Sequence, residues 1–228
     1  MGRGRFIVIE GIDGSGKSTQ AAMLADWLDS IDQPCARKCE PTNGPIGQII
    51  RSQYGMLNES HPHWINDRCL GLLFAADRSH HCQEIEKLQA KGGHVVCDRY
   101  LLSNMVYNGP AFASDEPTED SKARSGMRAV RRINSEAGAL VPDLTIQLTL
   151  SLEKVQRRIR QRGEPQQRLE ADLPGLHRRY VLVMRLYERW VEQGGGRYLA
   201  LSGDGSPAVV HARITRAVIS QFFPKEQP

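Results

Sequence analysis

The chain has 228 residues and a formal charge of +4, from 30 Lys and Arg against 26 Asp and Glu. A chain of this length buries about 70 % of the surface that its unfolded form exposes, so a core needs neither metal nor disulfides. The mild positive charge suits anionic ligands but is too weak to argue nucleic-acid binding, five cysteines is an odd count for a disulfide framework, and no apolar run approaches transmembrane length.

The first predicted element is a strand over residues 5 to 10, where Phe6-Ile7-Val8-Ile9 is continuous and apolar, as in a parallel strand covered on both faces. It runs into Gly11-Ile12-Asp13-Gly14-Ser15-Gly16-Lys17-Ser18-Thr19, a full match to G-x-x-x-x-G-K-[ST]. Glycines here let successive N–H groups turn inward as an anion nest at a helix N-terminus. Lys17 is then placed for the terminal phosphates of a nucleoside triphosphate and Ser18 for a metal ion. An ordinary strand-to-helix turn is the bland alternative, which the matching flanks disfavour.

The following helix carries Ala21, Leu24, Ala25 and Leu28 on one stripe. A turn at Asp32-Gln33-Pro34 leads to a second strand ending at Glu40-Pro41, and Pro41, Asn43, Gly44, Pro45 and Gly47 predict a loop. A long helix is expected from about Trp64 through Leu70, Leu73, Phe74 and Asp77 toward Leu88, closed by Gly92-Gly93. His94 to Cys97 reads as a buried strand ending on Asp98-Arg99. Residues 100 to 113 and 119 to 139 read as helical, with a polar break from Ser114 to Pro117. A strand over Leu144 to Leu150, a basic helix over 152 to 162, a long helix over 172 to 193, a strand near Arg197 to Leu201 and a helix from Pro207 complete the pattern.

Strands alternating with helices imply an α/β fold, and with the P-loop motif a three-layer P-loop NTPase fold, a parallel sheet of about five strands with helices on both faces. Residues 1–228 are expected to form one domain with a mobile lid segment around 157–170. Met1 to Phe6 resembles neither a secretory leader nor a myristoylation signal, so a cytoplasmic protein is expected, with no membrane partner.

Ligands of such sheets bind beyond the carboxyl ends of the strands, where Lys17, Glu40-Pro41 and Asp98-Arg99 should converge. Asp98 at a strand end suits Mg²⁺ opposite Ser18, although Asp is equally a helix N-cap. Arg99 suits a phosphate clamp, or a surface ion pair. Phe74 and Arg78, four apart on one helix, could stack on a base and donate to its oxygen, or be a core residue and a solvated charge. Ser103 with Tyr107 and Asn104 with Asn108 offer further polar groups. Arg157, Arg158, Arg160, Arg162 and Arg168 form a dense basic segment around Gly163-Glu164-Pro165, suited to a transferring phosphoryl group or to solvent. His80-His81-Cys82 and His61-Pro62-His63 lack a complete zinc ligand set.

Taken together, these stretches resemble the thymidylate kinase family. The resemblance rests on Phe6 to Gln20, Glu40-Pro41 with Pro45-Ile46-Gly47 and Ile50-Arg51, Leu72 to Arg78, Val96 to Tyr100 with Ser103, Pro142 to Ile146, and Arg160 to Glu170. It implies a kinase moving the γ-phosphoryl of ATP to thymidine monophosphate with Mg²⁺, as a homodimer and without nucleic acid. It also implies ATP against Gly11, Asp13, Gly14, Ser15, Gly16, Lys17, Ser18 and Thr19, and metal at Ser18 and Asp98. On the acceptor side it implies Phe74 on thymine, Arg78 on a thymine oxygen, Asn104 on the base edge, and Arg51 and Arg99 on the phosphate. Asp13 is then near the sugar, Tyr107 crowds the 2′ position, and Glu40, Pro41 and Ser103 complete the acceptor site. Because Gly14 stands where some members carry an arginine, the implied type takes its catalytic arginine from the lid, with Arg160 and Arg162 as candidates. Cys39, Thr42-Asn43, Gln167 and Asn108 depart from the common pattern. The alternatives are a kinase of the same fold with another nucleotide or deoxynucleoside acceptor, or a non-enzymatic ATP-dependent binding module.

Overall fold

The computed structural model describes residues 2–54, 65–113, 115–162 and 172–223. The elements run β1 (Phe6–Gly11), α1 (Lys17–Ser30), β2 (Cys35–Cys39), α2 (Pro45–Tyr54), α3 (Asp67–Ala90), β3 (His94–Asp98), α4 (Leu101–Asn108), a 3₁₀ turn (Gly109–Phe112), α5 (Glu119–Glu136), β4 (Leu144–Thr149), α6 (Leu152–Arg162), α7 (Leu173–Gln193), β5 (Arg197–Ser202) and α8 (Pro207–Phe222). The five strands form one parallel sheet in the order β2-β3-β1-β4-β5. This is the α/β architecture that the alternating pattern implies.

The central strand explains the layers. All six residues of β1 are buried, and because side chains alternate across a strand they feed two cores. Ile7 and Ile9 face α1 and α8, joining Leu24, Leu28, Ile214 and Val218. Phe6 and Val8 face the opposite layer with Tyr100, Leu101, Tyr180 and Tyr187 from α4, its N-cap and α7. The edge strand β2 is only partly buried and carries Arg37 and Lys38, charges that discourage pairing with another chain. Lys38 is tied to Glu84 of α3 at 2.9 Å.

Three expectations change. The loop predicted around Pro41 to Gly47 gives way to α2 at Pro45, since proline is at home in a first helical turn, where its missing N–H costs nothing. A Cβ at Gly47 would lie 2.0 Å from the Thr42 carbonyl oxygen, so only glycine lets this helix pack against its own approach. The helix expected over 100–113 ends at Asn108 and tightens into the 3₁₀ turn, with Pro110 near its start. The long helix begins at Asp67, capped by the Asn66 side chain, and not near Trp64. Trp64, the His61-Pro62-His63 run, Ser114 and the lid residues 163–170 lie outside the described residues, as does the Arg162 side chain.

Candidate active site

The P-loop leaves β1 at the middle of the sheet and enters α1. Gly11, Gly14 and Gly16 take φ values of 142°, 79° and 94°, which side chains rarely tolerate. Gly16 is the N-cap of α1, and no side chain caps that end. The first amides of the helix are thus left to an anion. Ser18 and Thr19 are exposed there, whereas Lys17 is buried. The Lys17 Nζ donates to the Ile12 carbonyl at 2.9 Å and stands 3.5 Å from Asp13 Oδ1. Burial and then Arg99 pull its pKa below the usual lysine value. An arriving phosphate would oppose both causes.

Asp13 ties the loop to the next strand end. Its Oδ1 accepts from the Arg99 guanidinium as well as facing Lys17, and its Oδ2 accepts from Tyr107 at 2.8 Å. Burial alone would raise the Asp13 carboxyl, but Arg99, Lys17 and the Tyr107 hydroxyl hold it well below the carboxylate range. Arg99 sits at φ 69°, a left-handed conformation that costs a non-glycine residue on the order of 1 kcal/mol. It is held there by its N–H on the Ile9 carbonyl at 3.0 Å, its bond to Asp13 and a contact to Ser103 Oγ at 3.3 Å.

The N-cap alternative for Asp98 fails on geometry. The cap of α4 is supplied from β1 by Glu10, which accepts from the Tyr100 and Ser103 amides at 2.8 and 3.1 Å and from the Ser103 hydroxyl at 2.6 Å. Burial pushes the Glu10 carboxyl up against the pull of those bonds and of Arg99. Asp98 Oδ1, by contrast, is buried with no hydrogen-bond partner among the described residues. It lines a cavity of about 500 Å³ together with Ser18, Cys39, Thr42 and His81. A carboxylate oxygen without a partner and a serine lining the same cavity supply a donor set that fits a hard divalent cation such as Mg²⁺.

The second strand end feeds a buried polar network. Glu40 follows β2 through a cis bond to Pro41 and is 4 % exposed. Its Oε2 accepts from Arg78 Nε and Nη2 at 2.9 and 2.5 Å, and its Oε1 meets His81 Nδ1 at 3.1 Å. The Arg78 Nη1 donates to Asn134 Oδ1 and to Asn104 Oδ1, the latter at 3.2 Å, while its guanidinium covers the Tyr100 ring at 4.9 Å. Arg78 is therefore not a solvated charge: at 1 % exposure it is a buried cation whose pKa Glu40 raises although burial works against it. Phe74, one turn earlier, is partly buried against Ile50, Ile65 and Leu70. Arg51 reaches back from α2 to the Pro41 and Thr42 carbonyls and the Cys39 Sγ. Thr42 in turn donates its N–H and hydroxyl to Asp77 at 2.7 and 2.6 Å, so Cys39 and Thr42, two of the three residues departing from the common pattern here, are built into the loop.

The basic segment divides. Arg158 turns to the P-loop, donating to the Gly14 and Ser15 carbonyls at 3.3 and 3.4 Å and to the Gly203 carbonyl after β5 at 3.0 Å. A Cβ on Gly14 would meet Ile159 of α6 at 3.4 Å. Arg157 and Arg160 are exposed. Nor do His80, His81 and Cys82 converge: they turn to Glu84, Glu40 and Tyr100 respectively.

The structure thus brings together Asp13, Lys17, Arg99, Ser103 and Tyr107 in one cluster, and Glu40, Arg78 and Asn104 in an adjoining one. Sequence reasoning missed Glu10, His81 as a partner of Glu40, Asn134 and Tyr180, whose hydroxyl donates to the Gly11 carbonyl at 3.0 Å. A signal existed for two of them. Glu10 is a lone carboxylate in an apolar strand, and Asn134 is polar at the end of the buried stripe Ala123, Met127, Val130.

Comparison with known proteins agrees with this geometry. The model of the family "Thymidylate kinase" matches residues 9–214. A probable thymidylate kinase of Methanococcus aeolicus is 34 % identical over 218 residues, covering 95 % of this chain and 97 % of the relative. A thymidylate kinase of Trichormus variabilis is 30 % identical over 213 residues, covering 92 % and 93 %. The solved structure of a thymidylate kinase from Candida albicans superposes with a TM-score of 0.68 at 26 % identity, over 96 % of this chain and 92 % of that one. By its fold, its P-loop and these matches, the chain belongs to the thymidylate kinase family.

Proposed function

We propose that the chain transfers the γ-phosphoryl group of ATP to thymidine 5′-monophosphate, giving the diphosphate and ADP. The observation that carries this reading is the shared carboxylate of Asp13. Lys17, from the triphosphate loop, and Arg99, from the strand end facing the acceptor network, both address its Oδ1. A donor cation and an acceptor cation therefore stand within reach of one point, where two phosphates can meet in line. The acceptor phosphate is already a nucleophile near neutral pH, so the protein needs to position it and neutralise charge.

In this reading the P-loop amides and Lys17 hold the donor phosphates, and Arg99 and Arg51 hold the acceptor phosphate. Phe74 stacks on the base, Arg78 and Asn104 bond its edge, and Asp13 with Tyr107 lies at the sugar. Ser18 and Asp98 would hold Mg²⁺, which would supply neutralisation of phosphate charge when bound. Residues 157–170 act as a lid on a single domain and bring Arg160 and Arg162 to the transferring group. The protein works as a cytoplasmic homodimer. Support for these last points is the family, the five unpaired cysteines, and the exposed Ile49 and Leu72 on the adjoining α2 and α3. Among the described residues no helix is long and apolar enough to cross a membrane.

The test is ADP release by the purified chain against a panel of nucleoside monophosphates and thymidine. Thymidylate should give the highest kcat/KM; equal or better turnover of cytidylate or uridylate would overturn the assignment.

A further inference from the structure

α5 and α7 pack against each other, and the groove between them is neutralised at one end and not at the other. Toward the two N-termini every cation has an acid. Lys122 pairs with Glu119 at 3.2 Å, Arg178 with Asp120 at 2.5 Å and Arg179 with Asp172 at 3.5 Å, all around a cavity of about 360 Å³. Further along the same groove, Arg128 and Arg131 of α5 and Arg189 of α7 line a second cavity of about 150 Å³ over Met105, Leu186 and Trp190. No acidic side chain lines it. Among the described residues none of these three guanidinium groups has an ion pair or a hydrogen bond. Arg131 is half-buried all the same, and Met105 and Trp190 beneath it are buried.

Such a convergence opposes the fold. Arg128 lies four residues from both Arg124 and Arg132, and Arg189 four from Arg185, spacings at which like charges destabilise a helix. The helix dipole does not account for them, because its benefit to cations is confined to the last turn and neither helix has a basic residue there. An anion in the cavity would remove the repulsion. The planar fork of a guanidinium matches pairs of phosphoryl oxygens, and an apolar floor strengthens the attraction by limiting water. At ~30 Å³ per water the cavity has room for about five waters, which suits a short phosphoryl group and excludes a base with its sugar. We propose that this cavity is a second anion site, apart from the P-loop, that takes a short phosphoryl anion: free pyrophosphate or the phosphate chain of a nucleotide. A nucleic-acid track would need free charge along the whole groove, and the three ion pairs at its other end deny that. The site borders both substrate halves, since Met105 belongs to α4 and α7 carries Tyr180 onto the Gly11 carbonyl. It shares no side chain with either, and it does not depend on which nucleotide is the acceptor.

The test is calorimetric titration of inorganic pyrophosphate, and separately of ADP, into the wild type, Lys17→Ala and the triple variant Arg128→Gln, Arg131→Gln, Arg189→Gln. Pyrophosphate should show a binding event besides that at the P-loop. The triple variant should weaken this event about tenfold or more, and Lys17→Ala should leave it within about twofold. A matching second event with ADP identifies the ligand as the phosphate chain of a nucleotide, and its absence identifies the free anion; either supports the site. The triple variant should unfold in urea no earlier than the wild type, because it loses repulsion and no contact. Its turnover of thymidylate should stay within about twofold, as expected of a separate site. A single event in the wild type, or a second one that the triple variant leaves unmoved, would overturn the proposal. So would a fall in turnover, which would return these arginines to the catalytic site. Binding of a single-stranded oligonucleotide that the triple variant loses and pyrophosphate fails to displace would reassign the face to nucleic acid.

Discussion

The two halves of the site are built from different materials. The donor half is mostly backbone: three glycines at positive φ, a helix N-terminus with no side-chain cap, and one lysine. The acceptor half is a lattice of side chains, Glu40, Arg78, His81, Asn104 and Asn134, drawn from a loop and three helices. Backbone recognition suits a ligand part common to every nucleoside triphosphate, whereas side-chain polarity can discriminate one base from another. The donor half can therefore lose a function without losing the fold, and the acceptor half cannot.

Three variants test that contrast. Lys17→Ala should cut kcat on the order of 10³-fold while leaving the urea midpoint close to wild type; retained turnover would remove Lys17 from the chemistry. Arg78→Ala leaves Glu40 buried beside His81 alone and should cost about 3 kcal/mol of stability in urea unfolding, together with acceptor binding. A fully stable Arg78 variant would show that the network does not support the fold. Arg158→Ala releases the P-loop and the loop after β5 from their common tie. We expect KM for ATP to rise about tenfold with KM for the acceptor unchanged, and equal changes in both would deny a donor-side role.

The smallest effect lies outside both halves. His94 accepts the Arg5 amide at Nδ1, 3.0 Å away, and its Nε2 meets Gln33 at 3.1 Å. Burial and then Arg5 hold its pKa below the ordinary histidine value, so the folded chain takes up that proton less readily than the unfolded chain. The stability that neutral His94 contributes is complete above about pH 6.5 and is lost as pH falls from there toward the depressed folded value. His94→Gln should lessen the drop in melting temperature between about pH 7.5 and about pH 5.5, by roughly 2 °C. An unchanged drop would assign that pH dependence to other groups.

The same contrast explains what could be read from the chain alone. Each strand of a doubly covered parallel sheet must be a short apolar run, so β1, β3 and β4 and the P-loop after β1 stand out in the sequence. α2 did not, because its approach is rich in glycine and proline and its proline sits where a helix start and a turn look alike. Arg78 could be paired with Phe74 by spacing, but its partners lie 38, 26 and 56 residues away, and no local pattern carries such distances. Spacing offered Phe74 and Arg78 a base-binding reading beside a core residue and a solvated charge, and only the resemblance chose between them; the role proposed for Asn104 rests on the resemblance alone. Asn134 was passed over because one polar residue on an otherwise apolar stripe gives no direction to look in.

The capping of α4 by Glu10 has a consequence for how selectivity would show itself. One carboxylate joins the end of β1, from which the triphosphate loop springs, to the first turn of the helix that carries Ser103, Asn104 and Tyr107. On the proposed reading, the separation of the two reacting phosphates would then belong to the scaffold and not to the fit of a particular base. Nucleotides that differ only at the base edge would, once seated, line up for transfer over the same gap. Preference among them should accordingly appear in how often the site is filled, and far less in how fast a filled site reacts.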